Sequence, residues 1–320
     1  MSSISQLLKE NNPHEDILTI AGGLGDKENI PTYIVGGYVR DTLLGKSCQD
    51  IDIMVEGDGV AFAKLLASEL KVNVTVDYDK FGTALIPYPN VDIEVATARK
   101  EKYQSDSRKP EITSSTVEED MSRRDFTINA IAASLMPSSF GELYDPFGGI
   151  KDLQKGLLIT PLDPDETFSD DPLRMLRAVR FSAQLQYEIA AATLDSISRN
   201  IHRLEIVSWE RIRDEIIKSL TTEKPSIAFY LMKETGLLTH VFPEMDIMSG
   251  VEIINGMGHK DVFTHTLQVV DNVAKLTDKM DVRFAALVHD IAKPSTKKFE
   301  PKKGWTFHGH DEIGRRMLKK

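Results

Sequence analysis

The sequence has one cysteine, two tryptophans and no hydrophobic run of the length that crosses a membrane. A membrane-spanning helix needs about 20 apolar residues in succession, so we expect no membrane partner. The single cysteine, Cys48, cannot form an internal disulfide, which indicates a reducing compartment rather than secretion. The first residues are also too polar for the apolar core of a signal peptide. These features predict a cytoplasmic protein.

Positive charge is in the minority, since 39 lysines and arginines face 49 aspartates and glutamates and the net charge is -10. A protein that coats nucleic acid needs clustered lysines and arginines to contact phosphates, and this composition argues against such a coat. The basic residues are nevertheless grouped, for example at 174–180 and 297–303, so a basic cleft on an acidic body is compatible with them. Composition leaves the oligomeric state open.

Apolar spacing divides the chain into a mixed first half and a helical second half. Runs with the period-two alternation of strands occur in the first half, and from about residue 150 the spacing is almost entirely helical. We predict four segments: an N-terminal helical segment at 1–30, an α+β head at 31–150, a helical neck and body at 151–245, and the start of an all-α domain at 255–320.

Three local predictions are more specific. Residues 3–20 should form a helix that ends before a glycine-rich turn at 21–25. Residues 100–116 are polar and predict a loop. A capping box at Thr116 and Glu119 should open the next helix, which we extend over the run MSRRDFTINAIAASL.

Asp50 and Asp52 give the first chemical signal, because side chains two apart on a strand point to the same face. Two converging carboxylates suit Mg²⁺, which commonly bridges protein carboxylates and substrate phosphates. Gly36 and Gly37 stand just before them between a strand and a helix, where backbone N–H groups can receive a phosphate. Solvated acids on an edge strand and an ordinary glycine turn are the alternative interpretations.

The run IVGGYVRDTLLGKSCQDIDIMV resembles the first motif of class II tRNA nucleotidyltransferases, the CCA-adding enzymes, a branch of the DNA polymerase beta superfamily. The resemblance continues in order through RRDFTINA at 123–130, DPFGG at 145–149, DDPLRMLRAVRF at 170–181 and ERIRDE at 210–215. It implies an α+β nucleotidyltransferase head followed by an all-α neck and body. It also implies the start of an all-α HD domain at the end of the chain.

The resemblance also assigns roles to residues. Asp50 and Asp52 would be the catalytic metal ligands, with Glu94 as a third acid. The nucleotide triphosphate would be bound by Gly36, Gly37, Arg40, Arg123, Arg124, Asp125 and Asn129. The incoming base would be selected by Asp171 and Arg174, with Arg177 and Arg180 on the same helix.

The pair Asp171 and Arg174 has a physical rationale of its own. Residues three apart on a helix project from one face. A carboxylate accepts a hydrogen bond from the exocyclic amine of C or A, and an arginine donates to a ring nitrogen or carbonyl oxygen. Such a pair could choose C or A without a template. The alternative is a surface ion pair of little energetic weight.

Arg123 and Arg124 are adjacent, and adjacent residues on a helix point about 100° apart. We therefore expect one of them to face the nucleotide and the other to brace Asp125 or the neck. Asn129 could equally be a cap or a buried polar residue.

The implied reaction is nucleotidyl transfer onto the acceptor stem of tRNA. The tRNA 3′-OH attacks the α-phosphorus of CTP or ATP, pyrophosphate leaves, and two Mg²⁺ ions are held by Asp50 and Asp52. In this family a flexible head-domain loop placed like 100–116 accompanies addition of the final A. Its presence argues against an enzyme that adds only A, but it does not separate CC addition from CCA addition.

Three segments near the end, FTHTLQVV, LVHDIAKP and FHGHDEIG, resemble the HD phosphohydrolase superfamily. The resemblance implies a divalent metal site at His265, His289, Asp290 and His310. That superfamily needs a further aspartate on a later helix, so we expect the site to be incomplete and the chain to be a fragment. An HD phosphohydrolase in a longer protein is one alternative function.

A poly(A) polymerase of the same family is a second alternative. That branch carries a Gly-Arg-Arg-Phe stretch soon after the paired acids, whereas this chain has DYDKFGTALI at 77–86. An RNA- or nucleotide-binding protein with an inactive site is a third, and the intact acids and base-selecting pair argue against it.

Overall fold

The computed structural model of the chain describes residues 3–10, 12–48, 50–73, 76–78, 82–104 and 107–319, without the side chains of 76–78, 101–104 and 107–112. The chain folds as two compact units, residues 1–167 and 168–320. In the part of the chain so described, no helix is both long and apolar enough to cross a membrane.

The first unit contains a mixed sheet with helices beside it. Its helices are α1 (Ser5–Lys9), α2 (Glu15–Glu28), α3 (Gly37–Leu43), α4 (Gly59–Glu69), α5 (Val117–Ser122) and α6 (Gly149–Lys155), and α7 (Pro164–Asp170) runs past its end. Its strands are β1 (Thr32–Val35), β2 (Asp50–Val55), β3 (Val76–Tyr78), β4 (Thr83–Tyr88), β5 (Val91–Thr97), β6 (Arg99–Gln104), β7 (Ser107–Ser114), β8 (Ala132–Ser134), β9 (Leu143–Tyr144) and β10 (Leu157–Leu158).

Seven of these strands form one sheet in the order β3-β4-β5-β2-β1-β8-β9. β2 and β5 are parallel neighbours, and their register places Asp50 opposite Asp92 and Asp52 opposite Glu94. The alternate residues of β2, Ile51 and Ile53, are buried in the core of the head. The period of two therefore sends the apolar side chains into the core and the carboxylates to the other face.

The second unit is helical apart from short strands. Its helices are α8 (Leu173–Leu185), α9 (Ala191–Asn200), α10 (Trp209–Leu220), α11 (Ser226–Thr235), α12 (Leu237–Val241), α13 (Pro243–Asp246), α14 (Val262–Ala274), α15 (Met280–Val288), α16 (Lys293–Thr296) and α17 (His310–Met317). Its strands are β11 (Glu188–Ile189), β12 (Ile253–Ile254), β13 (Met257–Gly258), β14 (Lys298–Glu300) and β15 (Gly304–Thr306).

Three arginine and tryptophan contacts tie this second unit together. Arg180 of α8 pairs with Glu215 of α10 at 2.6 Å, and both side chains are buried. Arg283 of α15 is 2% exposed and donates to the backbone carbonyl of Leu220 at 3.0 Å. Trp305 donates from Nε1 to the carbonyl of Met257 at 3.0 Å, which joins the β12–β13 and β14–β15 hairpins.

The predicted glycine-rich turn at 21–25 is wrong, because these residues lie inside α2, which ends at Asn29 in the left-handed conformation. Packing explains Gly22. A Cβ at Gly22 would come 1.8 Å from the carbonyl oxygen of Leu135, so only glycine allows the helix to lie this close to the neighbouring backbone.

The predicted helix over MSRRDFTINAIAASL is also wrong. The capping box at Thr116 opens α5 as expected, but α5 ends at Ser122. A 3-10 turn at Thr127–Asn129 and strand β8 follow, and β8 pairs with β1. Alanine favours a helix intrinsically, and here strand pairing in the core overrides that preference.

The polar segment 100–116 holds the antiparallel β6–β7 hairpin where the sequence predicts a loop. Its residues 105 and 106 and the side chains of 101–112 lie outside the described residues. The run at 77–86 used against the poly(A) polymerase alternative also lies partly outside them.

Candidate functional site

The acidic residues of the head lie together on β2 and β5. Asp50 and Glu94 are exposed and Asp52 is partly buried. Burial, and then the negative charges of Glu94 and Asp50, raise the pKa of Asp52 to about 6, although Arg124 and Arg40 act to lower it. The three carboxylates form a donor set of hard oxygens, and this set fits a divalent cation such as Mg²⁺, whose charge would favour the ionised form of Asp52.

Gly36 forms the turn between β1 and α3 with a φ of 66°, a conformation that favours glycine. A Cβ built there would lie 2.8 Å from Nη1 of Arg124 and 3.8 Å from Oδ2 of Asp52. The missing side chain therefore leaves a space that is bordered by a guanidinium group and a carboxylate. A guanidinium group donates hydrogen bonds to a phosphate, and a carboxylate binds the metal ion that the phosphate coordinates. The space therefore suits a metal-bound phosphate.

Arg40, Asn129 and Asp125 form one chain of hydrogen bonds. Arg40 donates from Nη1 to Oδ1 of Asn129 at 2.7 Å, and Asn129 donates from Nδ2 to Oδ1 of Asp125 at 2.9 Å. Arg40 also makes a two-point contact with Asp41 at 2.8 Å. All three predicted residues are buried, so Asn129 holds the orientation of Arg40 beside the glycine turn.

The carboxylate shared by Arg123 and Arg124 is that of Asp120, where the sequence predicts Asp125 or the neck as the brace. Arg123 donates to Oδ1 of Asp120 and Arg124 donates to Oδ2. The signal was present in the sequence, because an acid lies three and four positions before two arginines at the end of a helix.

The predicted base-selecting residues occupy the start of α8. Asp171 precedes the helix, so it does not share a helical face with Arg174 as predicted. Its Oδ1 accepts from the backbone N of Leu173 at 3.3 Å, and its Oδ2 lies 3.8 Å from Nη2 of Arg211. Arg174 lies in the first turn of α8 and is nearly buried. The backbone N of Arg174 donates to the carbonyl of Asp171 at 3.0 Å, so the two residues are joined by a helix start rather than by helical periodicity.

Arg177 and Arg180 flank the ring of Phe181 at 5.3 and 4.1 Å from its centroid. Arg180 also pairs with Glu215 at 2.6 Å and donates to Gln184 at 2.7 Å. Arg180 is thus part of the joint between α8 and α10. The sequence contains Glu215 in its ERIRDE run, but spacing alone gives no sign of its partner.

Three histidines converge on Asp290 in the second unit. Nε2 of His289 lies 3.1 Å from Oδ2, Nε2 of His310 lies 3.5 Å from Oδ1, and Nε2 of His265 lies 4.0 Å from Oδ2. The ligand atoms of His265, His289 and Asp290 lie within 4.8 Å of one another. The structure therefore brings together all four residues that the sequence proposes here.

The hydrogen bonds around this cluster suit a metal. Nδ1 of His289 and Nδ1 of His310 each face a backbone carbonyl at 2.8 Å, so the lone pair of the neutral ring is left on the Nε2 that faces Asp290. Lys293 competes for the site, because its Nζ lies 2.6 Å from Oδ2 of Asp290. When the His289 ring is protonated instead, its Nε2 donates to Asp290. That hydrogen bond and the one from Lys293 outweigh burial and lower the pKa of Asp290 to about 2, and the bond to Asp290 raises the pKa of His289.

Comparison with known families gives three matches along the chain. A family model described as Poly A polymerase head domain matches residues 32–159. One described as a probable RNA and SrmB-binding site of polymerase A matches 186–248, and one described as HD domain matches 262–320.

Two curated relatives show how far the similarity extends. The A-adding tRNA nucleotidyltransferase of Geobacter sulfurreducens is 34% identical over 275 residues, which cover 85% of this chain and 29% of that protein. The multifunctional CCA protein of Shewanella frigidimarina is 36% identical over 304 residues, which cover 90% of this chain and 68% of that protein. The chain thus spans under a third of the first relative and about two thirds of the second.

Solved structures agree with the curated relatives. The Thermotoga maritima CCA-adding enzyme complexed with tRNA-CCA superposes with a TM-score of 0.74 at 29% identity, covering 99% of this chain and 73% of that one. A CCA-adding enzyme complexed with CTP superposes with a TM-score of 0.72 at 32% identity, covering 90% of this chain and 64% of that one. The fold class expected from the sequence, a nucleotidyltransferase head followed by helices, is confirmed.

Proposed function

The chain belongs to the tRNA nucleotidyltransferase family that includes the CCA-adding enzymes, and from that premise we propose that it adds C and A to the 3′ end of tRNA from CTP and ATP. The observation that carries the proposal is the set formed by Asp50, Asp52 and Glu94 next to Gly36 and Arg124. It offers the carboxylates and the cationic donor that a metal-bound triphosphate requires.

The metal proposed for the head is Mg²⁺, held as two ions by Asp50 and Asp52 with Glu94 beside them. Bound there, it would supply a lower pKa at the attacking 3′-OH and charge stabilisation at the leaving pyrophosphate. The chain itself contributes binding and orientation. Arg124 would contact the phosphates over Gly36, and Arg40 would be held for the same task by Asn129.

Base choice is proposed for Asp171 and Arg174. The Asp171 carboxylate is oriented through both of its oxygens, by the backbone of Leu173 and by Arg211. In that orientation it would accept from the exocyclic amine of cytosine or adenine while Arg174 donates to the ring. Uracil presents a carbonyl at that position and would face the carboxylate with two acceptors.

The proposed RNA partner is the acceptor stem of tRNA, and the proposed location is the cytoplasm. The names of the relatives and the tRNA complex of the Thermotoga enzyme support the partner. A divalent ion at His265, His289, Asp290 and His310 is a further part of the proposal, supported by the convergence of their ligand atoms.

An addition assay tests the proposed function. Transcripts of one tRNA that end before CCA, after C and after CC are incubated with CTP, ATP or both, and the products are sized. We expect growth to the complete CCA end and no further. Growth only from the CC end would show an A-adding enzyme, an unlimited A tail would show a poly(A) polymerase, and no growth would contradict the proposal.

Asp52→Ala is the matched variant for this assay. It should leave CTP binding measurable and reduce incorporation by at least about a thousandfold, because charge stabilisation by the metals is lost. Asp58→Ala removes an exposed helix-capping acid of the same unit and serves as control, since Asp58 only caps α4. Near-normal incorporation by Asp52→Ala would contradict the assigned role.

A further inference from the structure

Asp120 is a fully buried carboxylate in the head that the proposed reaction does not yet use. It lies in α5, and its neighbours are the two arginines that follow the helix, Arg123 and Arg124. The ion pairs with both arginines outweigh the cost of burial and hold the pKa of Asp120 below its usual range. Asp120 is therefore ionised at neutral pH and bridges two cations.

The two oxygens of Asp120 have different partners. Oδ1 accepts from Nε and Nη2 of Arg123 at 3.0 and 2.5 Å and from the backbone N of Arg99 at 3.2 Å. Oδ2 accepts from Nε and Nη2 of Arg124 at 3.2 and 3.1 Å. Each arginine thus donates to Asp120 through two nitrogens, which fixes the plane of its guanidinium group.

The two hydrogen bonds from Arg124 to Asp120 determine where the third guanidinium nitrogen of Arg124, Nη1, lies. With Nε and Nη2 directed at Asp120, Nη1 is left on the side of the glycine turn, 2.8 Å from the position of a Gly36 Cβ. Oδ2 of Asp52 borders the same space at 3.8 Å. Neutralising a buried carboxylate requires one arginine, whereas the second one here is aimed at the catalytic acids.

We propose that Asp120 is a positioning residue for the triphosphate of the incoming nucleotide. It holds Arg124 so that Nη1 faces the space over Gly36, in which the phosphates bind. The inference rests on the proposed function, because it takes CTP and ATP as the ligands of that space. It assigns the orientation of Arg124 to a carboxylate outside the RRDFTINA run.

Asp120→Asn is the variant that separates the two arginines. The amide keeps one oxygen acceptor and presents an NH₂ group in place of the other. The Oδ1 position receives three donors and the Oδ2 position two, so the amide oxygen should stay with Arg123 and the NH₂ group should face Arg124. The substitution thus releases Arg124 while it keeps the shape of the side chain.

The measurement is equilibrium binding of CTP and of CMP to the full chain with Mg²⁺ and without RNA. We expect Asp120→Asn to weaken CTP binding about tenfold, the usual effect of losing one charge-assisted contact, and to change CMP binding less than about twofold. A purely structural role would weaken both nucleotides alike. Equal loss for CTP and CMP, or no loss for either, would overturn the inference.

Asp152→Asn is the matched control, because Asp152 is also a buried carboxylate of the first unit and accepts from Thr127 at 2.7 Å. It should leave the ratio of CTP to CMP affinity unchanged. A double-mutant cycle adds a second test: in the Arg124→Lys background, Asp120→Asn should cost no further CTP affinity. A full additional loss in that background would show that Asp120 does not act through Arg124.

The same data separate this inference from the proposed function. A wild-type chain without preference for CTP over CMP would contradict the triphosphate site itself. A wild-type chain with that preference and an Asp120→Asn variant that retains it would contradict only the role of Asp120. If thermal unfolding shows no cooperative transition for Asp120→Asn, Asp120→Glu replaces it. We expect the longer side chain to displace Arg124 and to reduce the ratio of CTP to CMP affinity.

Discussion

Asp52 is the residue of the acidic cluster whose ionisation is disfavoured in the folded chain. Its carboxylate is partly buried beside Glu94 and Asp50, and it stays protonated up to a pKa of about 6. Without a divalent ion, ionising it opposes folding, because the unfolded chain ionises an aspartate near pH 4. The stabilisation that belongs to the protonated form is complete at low pH and is lost as the pH rises through about 6.

The neutral substitution Asp52→Asn should therefore stabilise the metal-free protein above pH 6 and not below pH 4. We expect the gain in the free energy of unfolding to reach about 1–3 kcal/mol near pH 8, allowing for the partial exposure of Asp52. Urea unfolding in a chelator at both ends of that pH range measures it. A gain that does not change with pH would show that the carboxylate is not strained by its neighbours.

A second prediction at the residue scale concerns Lys293. Its ammonium group pairs with the carboxylate of Asp290, which a metal would need as a ligand. Lys293→Met should tighten Mn²⁺ binding about tenfold, since the ion then has no ammonium group to displace. His289→Ala should abolish the same binding, which identifies the site. Calorimetric titration with Mn²⁺ measures this. Lys303→Met, in an exposed lysine that pairs with Glu300, is the control and should change nothing.

At the scale of elements, Arg283 joins the C-terminal ends of two helices. It donates to the carbonyls of Leu220 and Thr222 at the end of α10 at 3.0 and 2.8 Å, and to those of Ala274 and Thr277 at the end of α14 at 3.1 and 2.8 Å. The last carbonyls of a helix have no partner within the helix, so Arg283 satisfies groups that burial would otherwise leave unpaired.

Arg283→Met should lower the free energy of unfolding by about 3 kcal/mol or more, because several carbonyls lose a charged donor at once. Chemical denaturation followed by far-UV circular dichroism measures the loss. Arg213→Met in α10 removes an exposed arginine that pairs only at the surface with Asp214, and it should cost under about 1 kcal/mol. Equal effects of the two substitutions would contradict the assigned role of Arg283.

The same scale shows what sequence reasoning could and could not reach. β2 and the glycine turn before α3 follow from local patterns, because alternation and glycine freedom act within a few residues. The glycine-rich part of α2 and strand β8 were predicted wrongly, since the close approach of Gly22 to Leu135 and the pairing of β8 with β1 are contacts over long sequence distances. The partner of Arg180, Glu215, is 35 positions away and is set by helix packing.

At the scale of the whole molecule, a net charge of -10 has to coexist with the polyanionic substrate that we propose, tRNA. If tRNA binds to local basic groups, its affinity should fall as salt rises, because bound phosphates release counterions. We expect a loss of about tenfold or more between about 50 and 200 mM salt, measured by filter binding. If the net charge governed the encounter instead, salt would screen repulsion and binding would strengthen.

The joint between the two hairpins has a spectroscopic consequence. The chain has two tryptophans, and both Trp209 and Trp305 belong to residues 168–320. Trp305 is partly buried and anchored by its Nε1 to Met257, whereas Trp209 is 57% exposed. Intrinsic tryptophan emission is therefore generated in the second unit alone, and in a Trp209→Phe chain it becomes a single-site optical reporter of how the β12–β13 and β14–β15 hairpins are joined.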